Sequence, residues 1–444
     1  MNTPIYDFVQ SYCKKNPARF HMPGHKGKSF LGCEPLDITE IFGADSLYEA
    51  SGIIAESEQN AARLFGSAST CYSTEGSSHC IRAMLYIAMT HAQGTKPIIV
   101  APRNVHKSFL SACALLDIDI QWIYGPAQSS ICSLEVSKEA VLQALSQLKE
   151  KPIGIFLTSP DYLGHQADIA SIAALARSQG IPLLVDNAHG AYLKFLTPSQ
   201  HPLDLGADLC CDSAHKTLPV LTGGAYLHIS NRAPVSFAQG AKSALSLFGS
   251  TSPSYLILQS LDLCNLYLAQ KFPQELANCV SQIQLLKANL IKLGFSILES
   301  EPLKLVLDIR ELDTQLLAEH LSLHEIVFEF QDISTIVFMF TPQNTKEDFE
   351  KLQQALASFP LQKHPQFDFC WDFHPQKVLT VRQAAFSKQE RIPIEESAGR
   401  VCASPLVSCP PAIPIVVSGE RIPREAIPVF QRYGISSIDV VAEE

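Results

Sequence analysis

From about residue 55 the chain alternates between two spacings of apolar residues. "AESEQNAARLFG" predicts a helix that stops near Gly66, and "SSHCIRAMLYIAMTHAQG" sets Ile81, Leu85 and Ala88 at helical spacing. The short apolar run "PIIVAP" predicts a buried strand. A stripe of Val141, Leu142, Leu145 and Leu148 follows, with Ser137 placed as its N-cap. "PIGIFLTSP" predicts the next strand. A helix then starts at Asp168, carries Ile169, Ile172 and Leu175 on one face, and stops at Gly180. "IPLLVDNAHG" and "ADLCCDSAHK" predict two further strands with their exit loops, and "GGAYLHI" one more after a Gly-Gly turn. Strands apolar on both faces, alternating with helices, imply a mostly parallel sheet covered on both sides. The fold class is α/β.

The flanks read differently. Residues 1–54 are rich in Gly, Pro and His, and predict an irregular arm before a large domain over 55–295. Residues 296–362 predict a small α+β domain. Its strands are "LKLVLDIREL", "IVFEF" and "STIVFMF", and its helices run through "TQLLAEHLSLH" and "TKEDFEKLQQALASF". A Pro- and aromatic-containing linker leads to residues 363–444, where four short strand-like runs and several prolines predict a β-rich C-terminal domain.

The chain has 444 residues, enough for two or three domains. No apolar run approaches the roughly 18 residues that span a bilayer, and the first twenty residues lack the apolar core of a signal peptide. The 13 cysteines are an odd number, scattered, with no paired CxxC, so reduced buried thiols are expected rather than a disulfide framework or a metal site. These features point to a cytoplasmic protein. The net charge of −10 argues against nucleic acid as a partner and is compatible with a cationic small substrate. "GHKGKS" superficially matches a P-loop, but Met22 stands where its first glycine is needed.

In an open parallel sheet, ligands collect beyond the carboxyl ends of the strands. Ser159, Asp161, Asp186, His189 and the run Ser213 to Lys216 all fall there. Each has two readings. "YSTEGSSHC" ends at a helix start, where Ser77 and Ser78 suit either a phosphate or a plain cap. Asp186, closing a buried strand, is either a structural cap or ion-pair member, or the partner of a cationic ligand nitrogen. His189 is either a satisfied core histidine or part of that site. Lys216 either snorkels to solvent or forms a Schiff base. Taken together, a phosphate-binding helix start, a strand-end Asp and a strand-end Lys suit pyridoxal phosphate.

The chain resembles the fold-type-I, pyridoxal-phosphate-dependent ornithine/lysine/arginine decarboxylases, in their short bacterial form without the N-terminal wing domain. "HMPGHKG", "EGSSHCIRAML", "APRNVHKSFLSAC", "LLVDNAHGAYLKF", "DSAHKTLP", "STSPSYLILQSLD" and "SCPPAIPIVVSGERI" carry the resemblance. It implies that Lys216 binds the cofactor as a Schiff base, that Asp186 faces the pyridine nitrogen, and that His106 stacks on the ring. It implies phosphate ligands at Ser77, Ser78, Ser213 and His215, and a loop at Thr251 and Ser252 that reaches the neighbouring subunit of a homodimer or larger assembly. Decarboxylation of a basic amino acid is the expected reaction, with arginine favoured over lysine and ornithine. Another fold-type-I reaction such as transamination, or a non-catalytic paralogue, are the alternatives. Glu75, His79, Cys80 and Ala412 depart from the family's usual residues.

Overall fold

The computed structural model describes residues 1–92, 96–126, 130–365, 370–404 and 414–443. Seven strands form the main sheet: β1 (Ser69–Ser73), β2 (Ile98–Pro102), β3 (Asp119–Ile123), β4 (Gly154–Thr158), β5 (Leu183–Asp186), β6 (Leu209–Asp212) and β7 (Ala225–Ile229). Their order is β1-β7-β6-β5-β4-β2-β3. β2 with β3, and β5 with β6, pair in parallel. β7 runs antiparallel to both β6 and β1. All four residues of β5 and of β6 are buried, as strands covered on both faces require.

The chain divides into two compact units. The first comprises Met1–Pro97, Lys151–Leu157 and Ile169–Gln274. Local signals set its helix ends. The helix Ile53–Phe65 stops at Gly66, whose φ of 67° suits glycine. The helix Gly76–His91 follows β1 directly, and buries Ile81, Met84, Leu85 and Ala88.

The first fifty residues are not wholly irregular, as the sequence suggested. Pro4–Lys15 is a helix that buries Ile5 and Val9. Its Thr3 N-cap makes no side-chain cap bond. Instead Asp262 Oδ2 accepts from the Ile5 and Tyr6 N–H groups at 2.9 and 3.0 Å. The capping acceptor lies more than 250 residues away, so no local motif announces this helix.

The second unit comprises Ile98–Glu150, Thr158–Asp168 and Glu275–Glu444. A four-stranded antiparallel sheet, β10-β11-β9-β8, is built from β8 (Ser296–Leu298), β9 (Lys304–Asp308), β10 (Phe330–Gln331) and β11 (Thr335–Met339). The helix Lys346–Ser358 begins with a full Thr345/Asp348 capping box. "IVFEF" supplies a strand residue only at Phe330. Glu325 takes a left-handed φ of 54°, turning the chain, and Val327 is exposed, so nothing there rewards an extended buried run. Nearer the C-terminus, β12 (Gln389–Pro393) pairs antiparallel with β13 (Ser437–Val441), and isolated bridges join Lys377 to Glu420 and Val401 to Arg421.

Candidate active site

Parallel pairing of β5 with β6 sets Asp186 opposite Cys211, so the two strand exits leave the same edge of the sheet. Lys216 follows β6 in the single turn Ala214–Thr217. Its Nζ lies 3.0 Å from Nε2 of His189, on the exit loop of β5. Asp186 is 2% exposed. Its Oδ1 accepts from the Ala188 N–H at 3.2 Å and from the Cys211 thiol at 3.6 Å. Burial pushes its pKa up to about 6, against the pull of the positive charge on Lys216. A buried carboxylate with one backbone donor and one thiol for partners is suited to a cationic nitrogen.

The helix start Gly76–Ser77–Ser78 stands beside these exits. Gly76 has a φ of 73° and donates its N–H to Gly223 O at 2.7 Å. Ser213 Oγ donates to Ser77 Oγ at 2.7 Å, which fastens the loop carrying Lys216 to the helix start. Ser77 and Ser78 are half-buried in the first turn of a 16-residue helix, where backbone N–H groups and the helix dipole favour an anion. His215 Nδ1 donates to Gly224 O at 3.0 Å, and burial lowers its pKa. Thr251 and Ser252 are exposed on the loop after the helix Val235–Phe248.

These residues suit pyridoxal phosphate. A lysine amine, an under-solvated carboxylate and a hydroxyl-lined helix N-terminus come together within the first unit. His106 belongs to the second unit. It is exposed, and caps the helix Lys107–Leu116 by accepting from the Ser108 N–H at 3.2 Å.

The departures noted in the sequence have defined places. Glu75 Oε1 accepts from the Ser250 N–H at 2.6 Å and so holds the loop that precedes Thr251 and Ser252. His79 is turned into the interior, 2.9 Å from Ser73 Oγ, and donates from Nε2 to Leu245 O at 2.7 Å. Burial lowers its pKa, so it serves as a neutral bolt between two helices. Cys80 is fully buried. Ala412 lies outside the described residues.

Sequence reasoning passed over Asp212. It accepts hydrogen bonds from Asn187, His201 and His228 inside the first unit. The available signal was a carboxylate closing the apolar run "LCCD", which must find partners if buried.

The Orn/Lys/Arg decarboxylase major-domain family matches residues 3–298, and the C-terminal-domain family of the same enzymes matches residues 371–433. The chain belongs to the Orn/Lys/Arg decarboxylase family. It is 30% identical to an arginine decarboxylase of Bacillus subtilis, over 96% of this chain and 92% of that protein. It is equally similar, at 30%, to the uncharacterized protein YaaO of the same organism, over 97% and 94% of the two chains. Among solved structures, a lysine decarboxylase of Francisella novicida superposes with a TM-score of 0.82 at 16% identity. That match covers 99% of this chain and 81% of the other, and shows the shared fold. Within the Orn/Lys/Arg decarboxylase frame, the site edge formed by β5 and β6 carries both Asp186 and Lys216.

Proposed function

We propose that this member of the Orn/Lys/Arg decarboxylase family removes the α-carboxylate of a basic amino acid with pyridoxal phosphate, and that arginine is its substrate. The arginine decarboxylases among its relatives support that choice. The observation that carries the reading is the convergence of Lys216, His189, Asp186 and the Ser77–Ser213 pair at one sheet edge.

When bound, the cofactor supplies an electron sink for the bond pair left at the α-carbon. Lys216 contributes the amine that holds the cofactor's aldehyde carbon. His189, 3.0 Å from Nζ, takes or returns a proton there, so the lysine can act as an uncharged nucleophile and later as a proton donor. Asp186 would partner the ring nitrogen and hold a proton there; the raised proton affinity of this carboxyl suits a shared proton. Ser77, Ser78, Ser213 and His215, with the N–H groups of the helix start, hold the phosphate. His106, by the family resemblance alone, would stack on the ring.

The active unit is a homodimer, in which the loop at Thr251 and Ser252 reaches the phosphate of the neighbouring subunit. The proposed domains are an arm over 1–54, a cofactor domain over 55–295, a small domain over 296–362 and a C-terminal domain over 363–444, whereas the two compact units cut across these bounds. No helix among the described residues is long and apolar enough to cross a membrane. The cytoplasm is the proposed location.

Borohydride reduction of the protein incubated with pyridoxal phosphate, followed by peptide mass mapping, tests the cofactor reading. The label is expected on Lys216. A label elsewhere, or none, overturns it.

A further inference from the structure

The strand β6 ends in a carboxylate, Asp212, that is wholly buried. An ion so placed is costly unless donors replace the lost water. Four do so. Oδ1 accepts from Asn187 Nδ2 at 2.7 Å and from the Cys210 thiol at 3.5 Å. Oδ2 accepts from His201 Nε2 at 3.0 Å and His228 Nε2 at 3.2 Å.

Tautomers can be assigned from the remaining ring atoms. His201 Nδ1 accepts from the Leu203 N–H at 3.3 Å, so its proton sits on Nε2 and points at Asp212. His201, Cys210 and Asp212, whose ligand atoms lie close enough together to hold a metal ion, are joined here by hydrogen bonds. His228 Nδ1 lies 2.8 Å from the Thr70 hydroxyl, and burial lowers its pKa against the pull of Asp212. Burial opposes ionisation of Asp212, but the two histidines outweigh it and hold the carboxyl below the usual carboxylate range. The result is a buried negative charge held by four hydrogen-bond donors.

Its place in the chain gives that charge a second consequence. Asn187 is the residue after Asp186, and its own N–H donates to Cys211 O at 2.9 Å. The loop then folds over the Asn187 side chain: Gly190 N–H donates to Asn187 O at 2.8 Å, and a Cβ at Gly190 would lie 2.0 Å from Asn187 Oδ1. This loop delivers His189 to Lys216. On the other side, Asp212 is followed by Ser213, the residue that grips Ser77. The negative charge of Asp212 also raises the proton affinity of Asp186.

We propose that Asp212, held by His201 and His228, is a positioning residue that clamps Asn187 and thereby sets Asp186 and His189 for the cofactor. It rests on the pyridoxal phosphate reading above. It adds a residue that touches neither cofactor nor substrate, and acts through the two strand exits it joins.

The test uses the full-length protein and its Asp212→Asn and Asn187→Ala variants. Apoprotein is titrated with pyridoxal phosphate and binding is followed by visible absorbance. Turnover is then measured at saturating cofactor, and the melting temperature of each apoprotein is recorded separately. Misplacement of a reacting group by about 1 Å costs on the order of a hundredfold. Each variant is therefore expected to bind cofactor about tenfold or more weaker, and to lose kcat with KM for the amino acid little changed. Should Asp212→Asn fail to fold, Asn187→Ala decides alone, because it leaves Asp212 its two histidines and Cys210. If cofactor affinity and kcat both stay within about threefold of wild type, whatever the melting temperatures do, the proposal is overturned and the network is a structural bolt only. If wild type itself takes up no cofactor, the reading of function fails instead, which is a different result.

Discussion

Replacing Asp186 with Asn should make the cofactor-free protein more stable at neutral and alkaline pH, although it removes a residue proposed for the active site. The carboxyl is 2% exposed, and burial raises its pKa from 3.8 to about 6 despite the nearby Lys216 charge. Between those two values the folded chain binds more protons than the unfolded chain. Stability therefore falls as pH rises through that window, and stays lower above it. Roughly two pKa units at about 1.4 kcal/mol each amount to about 3 kcal/mol. An amide at this position keeps an acceptor for the Ala188 N–H and has no charge to desolvate, so the variant escapes this loss. Urea unfolding of the two apoproteins at about pH 4 and about pH 8 measures the effect. Because part of the loss already lies below pH 4, the stability difference should move by about 2 kcal/mol or slightly more in favour of Asp186→Asn at the higher pH. Added pyridoxal phosphate should stabilise wild type far more than the variant, because its ring nitrogen supplies the missing counter-charge. A difference that does not change with pH, or that changes in favour of wild type, would refute the reasoning.

Other expectations follow from buried partners. Arg103, at the end of β2, makes paired hydrogen bonds of 2.5 and 3.1 Å to Glu420, with both side chains almost fully buried. Glu420→Gln leaves a buried guanidinium without its counter-charge, and should cost about 3–5 kcal/mol in denaturant unfolding. The double variant Arg103→Met/Glu420→Leu should recover much of that loss; strict additivity of the two single effects would count against the pair acting as a unit. Asp262→Ala removes the acceptor for the Ile5 and Tyr6 N–H groups and for the Ser57 hydroxyl, and should cost about 2 kcal/mol or more. Amide exchange should then quicken first in Pro4–Lys15; unchanged protection there would show that Asp262 is not its cap.

The strands of the main sheet that sequence reading predicted were visible because each is a short apolar run between turn signals, as "LLVD" and "LCCD" show. Helices were visible where a cap or a stop was local, as with Ser137 and Gly66. The N-terminal helix escaped because its cap comes from Asp262, far along the chain. β1 escaped because "STCYS" lacks a strong apolar pattern, although four of its five residues are buried. At the candidate site, Asp186 and Lys216 were legible as polar residues closing or following buried strands, and the structure places them there. The Asp212 network was not legible. Its partners Asn187, His201 and His228 lie 25, 11 and 16 residues away; the β5–β6–β7 pairing brings up Asn187 and His228, and the cap of the helix Pro202–Leu205 brings up His201. Glu75 read as a departure from a family pattern; its bond to the Ser250 N–H, 175 residues on, appears only in the folded chain.

The most direct test of the central claim is carbon dioxide release from carboxyl-labelled arginine, lysine and ornithine by the purified protein with pyridoxal phosphate, alongside Lys216→Ala. The account predicts release from arginine in step with formation of its amine, and none from the variant. Release from none of the three amino acids, or equal release with and without Lys216, would contradict it.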